Sequence, residues 1–141
     1  MSGRKKFFLD TAPIIYFLEG NKERGLYVYH MLEKALNNGD ILAMSTLSYG
    51  EYLTIPYKNN DVIKERNFYK FIKDLNIIVY DINIEVMKLA AKLRAKYKML
   101  KLPDAIQIAT SIQYNCEAFW TNDKKLKHIE EINCIMIEDS I

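Results

Sequence analysis

The chain has 141 residues, 50% of them hydrophobic and 27% charged, a balance that excludes intrinsic disorder and suffices for one domain burying about two thirds of its unfolded surface. Twenty basic and 18 acidic residues leave a formal charge of +2, so no overall field draws the chain to nucleic acid or membrane and attraction must come from local patches. No uncharged run approaches roughly 18 residues and Asp10 cuts off the leader-like start at Arg4 to Leu9, so export and membrane spanning are not expected and a reducing cytoplasm is.

In chain order, Phe7-Phe8-Leu9 reads as the end of a short buried strand, and Pro13 suits the first turn of a helix through Ile14, Ile15, Phe17 and Leu18 that Gly20 stops. A second helix is predicted over 23–36, with Leu26, Val28 or Tyr29, Leu32 and Leu36 at helical spacing and Asn37-Asn38-Gly39 closing it. Ile41-Leu42-Ala43-Met44 is a second buried strand. Ser45, Thr46 and Ser48 are N-cap candidates for a helix that contains Glu51 and Leu53 and that Pro56 should end or kink. Val62, Phe68 or Tyr69, Phe71 or Ile72, and Leu75 predict a helix over 61–75, and Ile77-Ile78-Val79-Tyr80 is a strand rich in β-branched residues. Helical period returns over 84–97 through Val86 or Met87, Ala90, Leu93 and Tyr97. After Pro103 a further helix over 104–115 is expected to bury Ile106, Ala109 and Ile112 or Gln113. A strand at 118–120, one helical turn around Leu126 and a last strand at 134–137 complete the series.

Strands alternating with helices predict an α/β fold with a mainly parallel sheet, in which ligands gather beyond the carboxyl ends of the strands. Asp10 and Asp123 follow strand runs directly, while Glu51 and Asp104 lie within about a turn of helix starts, an arrangement that an α/β fold can bring to the same edge. Taken singly, Asp10, Asp104 and Asp123 have the ordinary explanation of helix capping, and Glu51 that of a solvated helix residue. Brought together, they would raise one another's pKa, and a divalent cation would remove that penalty. His30, within a helix, and His128, in a lysine-rich turn, are not placed for catalysis. Cys116 and Cys134 lack metal-ligand spacing and have the hydrophobic neighbours of buried thiols. No phosphate-binding glycine loop or Ser/His/Asp arrangement is present.

Leu9-Asp10-Thr11 before an apolar helix, Ser45 and Thr46 before Glu51, the run from Pro103 and Asp104 through Gln107 to Thr110, and Thr121-Asn122-Asp123 resemble, in order and over nearly the whole chain, the successive motifs of PIN-domain nucleases. In length the chain is similar to the small VapC-type toxins of prokaryotic toxin–antitoxin pairs. The resemblance implies one PIN-like domain over 1–141, with a three-layer α/β/α fold around a mainly parallel sheet of four to five strands. It implies a magnesium or manganese site made by Asp10, Glu51, Asp104 and Asp123, with Thr11, Thr121 and Asn122 in support, and metal-dependent hydrolysis of RNA phosphodiester bonds. A cognate antitoxin and a homodimer are also implied. Lys92, Arg94, Lys96, Lys98 and Lys101 before Asp104, and Lys124, Lys125 and Lys127 after Asp123, suit an RNA backbone. Arg94 is the preferred phosphate contact because guanidinium pairs bidentately. The alternative is a catalytically inactive PIN-like module that binds RNA or protein, against which the retained acids speak.

Overall fold

The computed structural model describes residues 4–137; residues 1–3 and 138–141 of the expected domain lie outside the described residues. Strand β1 (Lys6–Leu9) leads into helices α1 (Thr11–Leu18) and α2 (Lys22–Asn37), then β2 (Ile41–Ser45), α3 (Thr46–Lys58), α4 (Val62–Asp74) and β3 (Ile78–Tyr80). Helices α5 (Ile84–Lys96) and α6 (Leu102–Gln113) follow, then β4 (Ala118–Thr121), a 3-10 turn (Lys124–His128) and β5 (Asn133–Met136). Side-chain oxygens start most of the helices: Asn21, Ser45, Asp61 and Asn83 each accept from a backbone N–H three residues on, relieving donors that the first turn leaves unpaired. Asn60, Asn76 and Asn115 end segments in the left-handed region, which asparagine tolerates better than most residues.

All four strand pairings are parallel, in the order β3-β2-β1-β4-β5. Neighbouring residues along each strand face opposite layers. Phe8, Ala43 and Phe119 pack with Val86, Leu93 and Ile108 of α5 and α6. Leu9, Leu42, Met44 and Trp120 pack with Ile14, Val28, Tyr52 and Phe68 of α1 to α4. The result is a three-layer α/β/α fold. From β1 the chain builds outward through β2 and β3, then returns to β1's other side with β4, so a crevice opens where the carboxyl ends of β1 and β4 diverge.

Three details differ from the periodicity. Helix α2 buries Gly25, Val28, Leu32 and Ala35, whereas Leu26 and Leu36 are 51% and 43% exposed. The cause is Gly25: a Cβ built there would stand 2.7 Å from the backbone carbonyl oxygen of Tyr16, so only glycine lets α1 and α2 approach this closely. Gly25→Ala is expected to destabilise the protein by about 2 kcal/mol, because overlap with rigid backbone outweighs the roughly 1 kcal/mol of helix propensity that alanine adds. Equilibrium denaturant unfolding checks this. Pro56 does not end α3, which runs two residues further to Lys58, because a proline in the last turn removes few helical bonds. Helix α6 starts at Leu102, not Asp104, with Pro103 in its first turn, and its buried face carries Gln107, Thr110 and Ser111 beside Ala105, Ile108 and Ala109 while Ile106 is only partly buried. Packed between the sheet and α5, α6 is covered on two sides. Thr110 and Ser111 satisfy their hydroxyls on the carbonyls of Ile106 and Ile108.

Candidate functional site

Asp10 stands where β1 ends. Its N–H continues the ladder to the Trp120 carbonyl (2.9 Å), and its side chain then caps α1, Oδ1 accepting from the Thr11 N–H at 2.8 Å. Oδ2 accepts from the Thr121 hydroxyl at 2.8 Å. Thr121 is fully buried at the end of β4, and its Oγ1 also accepts from the Asp123 N–H (3.2 Å), which joins the two strand ends that flank the crevice. Asp123 caps the 3-10 turn by accepting from the Lys125 N–H at 3.0 Å. Glu51 reaches in from α3, exposed, with Oε1 accepting from the Thr11 hydroxyl at 2.6 Å. Asp104 lies in the first turn of α6 and is partly buried.

These four acids act on one another electrostatically. Burial, followed by the Asp104 and Glu51 charges, pushes Asp10 up to about 6, against the lowering effect of its hydrogen bonds to Thr121 and Thr11. Asp104 is also raised, first by burial and then by Asp123 and Glu51, while Lys101 and Lys125 pull it down. Asp10, Glu51, Asp104 and Asp123 therefore gather at one edge of the sheet. Burial raises the thiols of Cys116 and Cys134 to about 11, which keeps both neutral.

The donor set consists of carboxylate oxygens, with hydroxyls of Thr11 and Thr121 behind them. That chemistry fits magnesium or manganese, which prefer hard oxygen ligands, and not zinc, which favours nitrogen and sulfur. Among the described residues, no three His, Cys, Asp or Glu side chains are already arranged to enclose an ion. Magnesium does not require such an enclosure, since it keeps several waters and binds one or two carboxylates directly.

The other residues singled out in the sequence have definite places. Asn122 donates from Nδ2 to the Tyr16 hydroxyl at 2.8 Å, tying the loop after β4 to α1. Arg94 donates from Nε to the Leu100 carbonyl at 3.3 Å and braces the turn between α5 and α6. Beside the acids lies a cleft of about 360 Å³ lined by Asp104 and Asp123, by the buried apolar side chains of Leu100, Leu126 and Ile129, and by the exposed Lys101 and Lys125. Arg94 does not line it. Neither Lys101 nor Lys125 makes an ion pair within 4.0 Å among the described residues. Sequence reasoning gave no role at the site to Gln107, Ser45 or Ser48, which lie buried behind Thr11. The available signal was an amide one turn beyond Asp104, between the apolar Ala105, Ile106 and Ile108.

The model of the PIN domain matches residues 7–132. No curated protein matches the chain. Among solved structures, VapBC2 from Rickettsia felis bound to a DNA fragment from its promoter is 17% identical with a TM-score of 0.80, over 94% of this chain and 99% of that one. DNA-bound VapBC from Salmonella typhimurium is 17% identical at TM-score 0.73, over 95% and 99%. VapC20 from Mycobacterium tuberculosis, a sarcin-ricin loop cleaving toxin, is 13% identical at TM-score 0.66, over 90% and 98%. At such identities the likeness is one of fold.

Proposed function

We propose, from the premise that this chain belongs to the PIN-domain family, that it is a divalent-metal-dependent endoribonuclease and the toxin of a toxin–antitoxin pair. One observation carries the reading: four carboxylates from the ends of β1 and β4 and from α3 and α6 share one sheet edge, and the most constrained of them, Asp10, is pushed up to about 6, first by burial and then by the Asp104 and Glu51 charges.

Asp10, Glu51, Asp104 and Asp123 would hold the ion, and Asp10 and Asp104 would gain most from it, since both carry a cost of burial that a cation relieves. Magnesium or manganese, when bound, supplies charge to the phosphate oxygens and lowers the pKa of a water to be used as nucleophile. Thr121 keeps Oδ2 of Asp10 turned toward β4, and Thr11 orients Glu51. The exposed Lys101 and Lys125 of the cleft hold phosphates of the strand, and its apolar lining of Leu100, Leu126 and Ile129 takes the apolar face of a sugar or base. Arg94 serves by bracing that turn. Asn122 sets the loop that carries Asp123.

The antitoxin part of the reading rests on the VapBC assemblies among the structural neighbours and on a second, apolar groove of about 240 Å³ lined by Phe17, Tyr29, Leu32, Leu36 and Leu75, which a partner's apolar side chains can cover. Among the described residues, no helix is long and apolar enough to cross a membrane. A homodimer and a cytoplasmic location belong to the same proposal.

Incubating total cellular RNA with the purified protein tests the nuclease. New RNA ends are expected with magnesium or manganese and none in chelator. RNA binding without cleavage in either metal would overturn the nuclease and leave the inactive module.

A further inference from the structure

We infer that Gln107 is a positioning residue for the reaction: through Ser48 and Thr11 it orients the carboxylate of Glu51 and sets its place relative to Asp104. The inference rests on the nuclease reading and names a residue outside the acidic set.

Gln107, Ser45 and Ser48 are 2%, 0% and 0% exposed. Their side chains join into one network. The Ser45 hydroxyl donates to Gln107 Oε1 at 2.5 Å, and Gln107 Nε2 donates to Ser48 Oγ at 2.6 Å and to Thr11 Oγ1 at 3.3 Å. Ser48 Oγ and Thr11 Oγ1 are 2.8 Å apart, and Thr11 Oγ1 is 2.6 Å from Glu51 Oε1.

Proton accounting gives the network a single direction. An ionised carboxylate only accepts, so the Thr11 hydroxyl proton goes to Glu51. The contact between the two hydroxyls must then use the proton of Ser48. Ser45 has spent its proton on Gln107, which leaves its oxygen free to accept the Ser48 backbone N–H at 3.3 Å. With the amide turned the other way, its oxygen would draw the proton of Ser48 to itself, leaving the 2.8 Å contact between Ser48 and Thr11 without a proton and Thr11 without a donor behind it as it donates to Glu51. The amide group of Gln107 thus turns the Ser48 proton toward Thr11 and donates to Thr11 itself, and these donors hold the hydroxyl whose own proton goes to Glu51.

A purely structural role predicts something different. Burying an amide and two hydroxyls is costly unless each is paired, and an apolar side chain of glutamine's size would fill the same space without that cost. A network kept only for packing would close on itself. This one ends on an exposed carboxylate at the proposed metal site. Gln107 also lies one turn after Asp104 on α6, so a single rigid helix carries Asp104 directly and Glu51 through hydrogen bonds, across the end of β2 and the first turns of α1 and α3.

The test uses Gln107→Met, which conserves volume and removes both donors, and Ser48→Ala, which interrupts the relay with a smaller change. Each is expected to lower kcat for RNA about tenfold and to weaken Mn2+ binding, measured by calorimetry without RNA, about tenfold, while KM for RNA stays within about twofold. The double variant should lose no more than Gln107→Met alone, because both act through one path. Folded variants, even if they melt at lower temperature, that keep wild-type kcat and Mn2+ affinity would overturn the inference and leave Gln107 as packing. Wild-type protein that neither binds Mn2+ nor cleaves RNA would overturn the nuclease reading itself, and this inference with it.

Discussion

Asp10→Asn is expected to reduce RNA cleavage by roughly a thousandfold while making the metal-free protein more stable at neutral pH. Both effects have one origin. The carboxyl of Asp10 titrates at about 6 in the folded protein against an ordinary 3.8, chiefly because burial disfavours its charge and then because Asp104 and Glu51 lie nearby. A raised folded pKa means that the contribution to stability is fully present below 3.8 and is lost as pH rises through about 6. At pH 7.5 an ionised Asp10 therefore costs the apo fold up to about 3 kcal/mol. Asparagine keeps the shape and both partners: its oxygen accepts from the Thr11 N–H, and its amide donates to Thr121 Oγ1, whose own proton turns away. Part of the gain is forfeited, because hydrogen bonds to a neutral group are weaker than those to an ion. A net stabilisation of about 1–2 kcal/mol, or a Tm higher by roughly 3–6 °C in chelator at pH 7.5, is the expected result. Scanning calorimetry at pH 7.5 and again at pH 4 checks the cause, since the gain should shrink toward zero where Asp10 is already largely protonated. A variant less stable than wild type at pH 7.5 would show that the hydrogen bonds of the carboxylate outweigh its burial.

The second large effect is the dependence of metal stabilisation on pH. Mn2+ at about a hundred times its dissociation constant should stabilise the protein by roughly 2.7 kcal/mol at pH 7.5, a rise in Tm of about 8 °C. The ligands must be deprotonated to bind. At pH 5 the Asp10 carboxyl, titrating at about 6, holds its proton most of the time, and Asp104, raised for similar reasons, resists ionisation too. Mn2+ affinity is accordingly expected to fall about tenfold or more from pH 7.5 to pH 5, and the thermal gain at fixed Mn2+ with it. A gain that stays level across this range, in thermal shift titrations at several Mn2+ concentrations, would place the ion on groups other than Asp10 and Asp104. The opposite pH slopes of apo stability and metal stabilisation are one property: acids held together without a cation are a strain that the cation removes.

Much of this fold was legible before any coordinates. Phe7 to Leu9, Ile41 to Met44 and Ala118 to Trp120 are strands, and the helical segments between them lie within a few residues of their expected positions. The four candidate acids were legible as well, because Asp10, Asp104 and Asp123 stand at a strand end or helix start and Glu51 lies a little over a turn into α3, each with a recognisable local context. The misjudged face of α2 had a cause outside the helix: Leu26 and Leu36 have the spacing of buried residues, but Gly25 admits the backbone of Tyr16 and rotates the contact toward Val28, Leu32 and Ala35. Similarly, α6 can bury Gln107 because partners on β2, α1 and α3 satisfy it, and those partners lie far from it in sequence, whereas Thr110 and Ser111 are satisfied on carbonyls of α6 itself.

What the sequence determined by itself was the order of the elements and the local setting of each candidate carboxylate, since periodicity, caps and turn residues act over a few positions along the chain. What the tertiary structure alone decided was which of these groups meet. The strand order β3-β2-β1-β4-β5 sets β4 beside β1, so that Thr121 donates to Asp10 across 111 positions and Gln107 to Thr11 across 96. That order comes from packing two layers of helices on one sheet, a property of the whole chain, and the raised carboxyl of Asp10 exists only once the packing has brought its neighbours in.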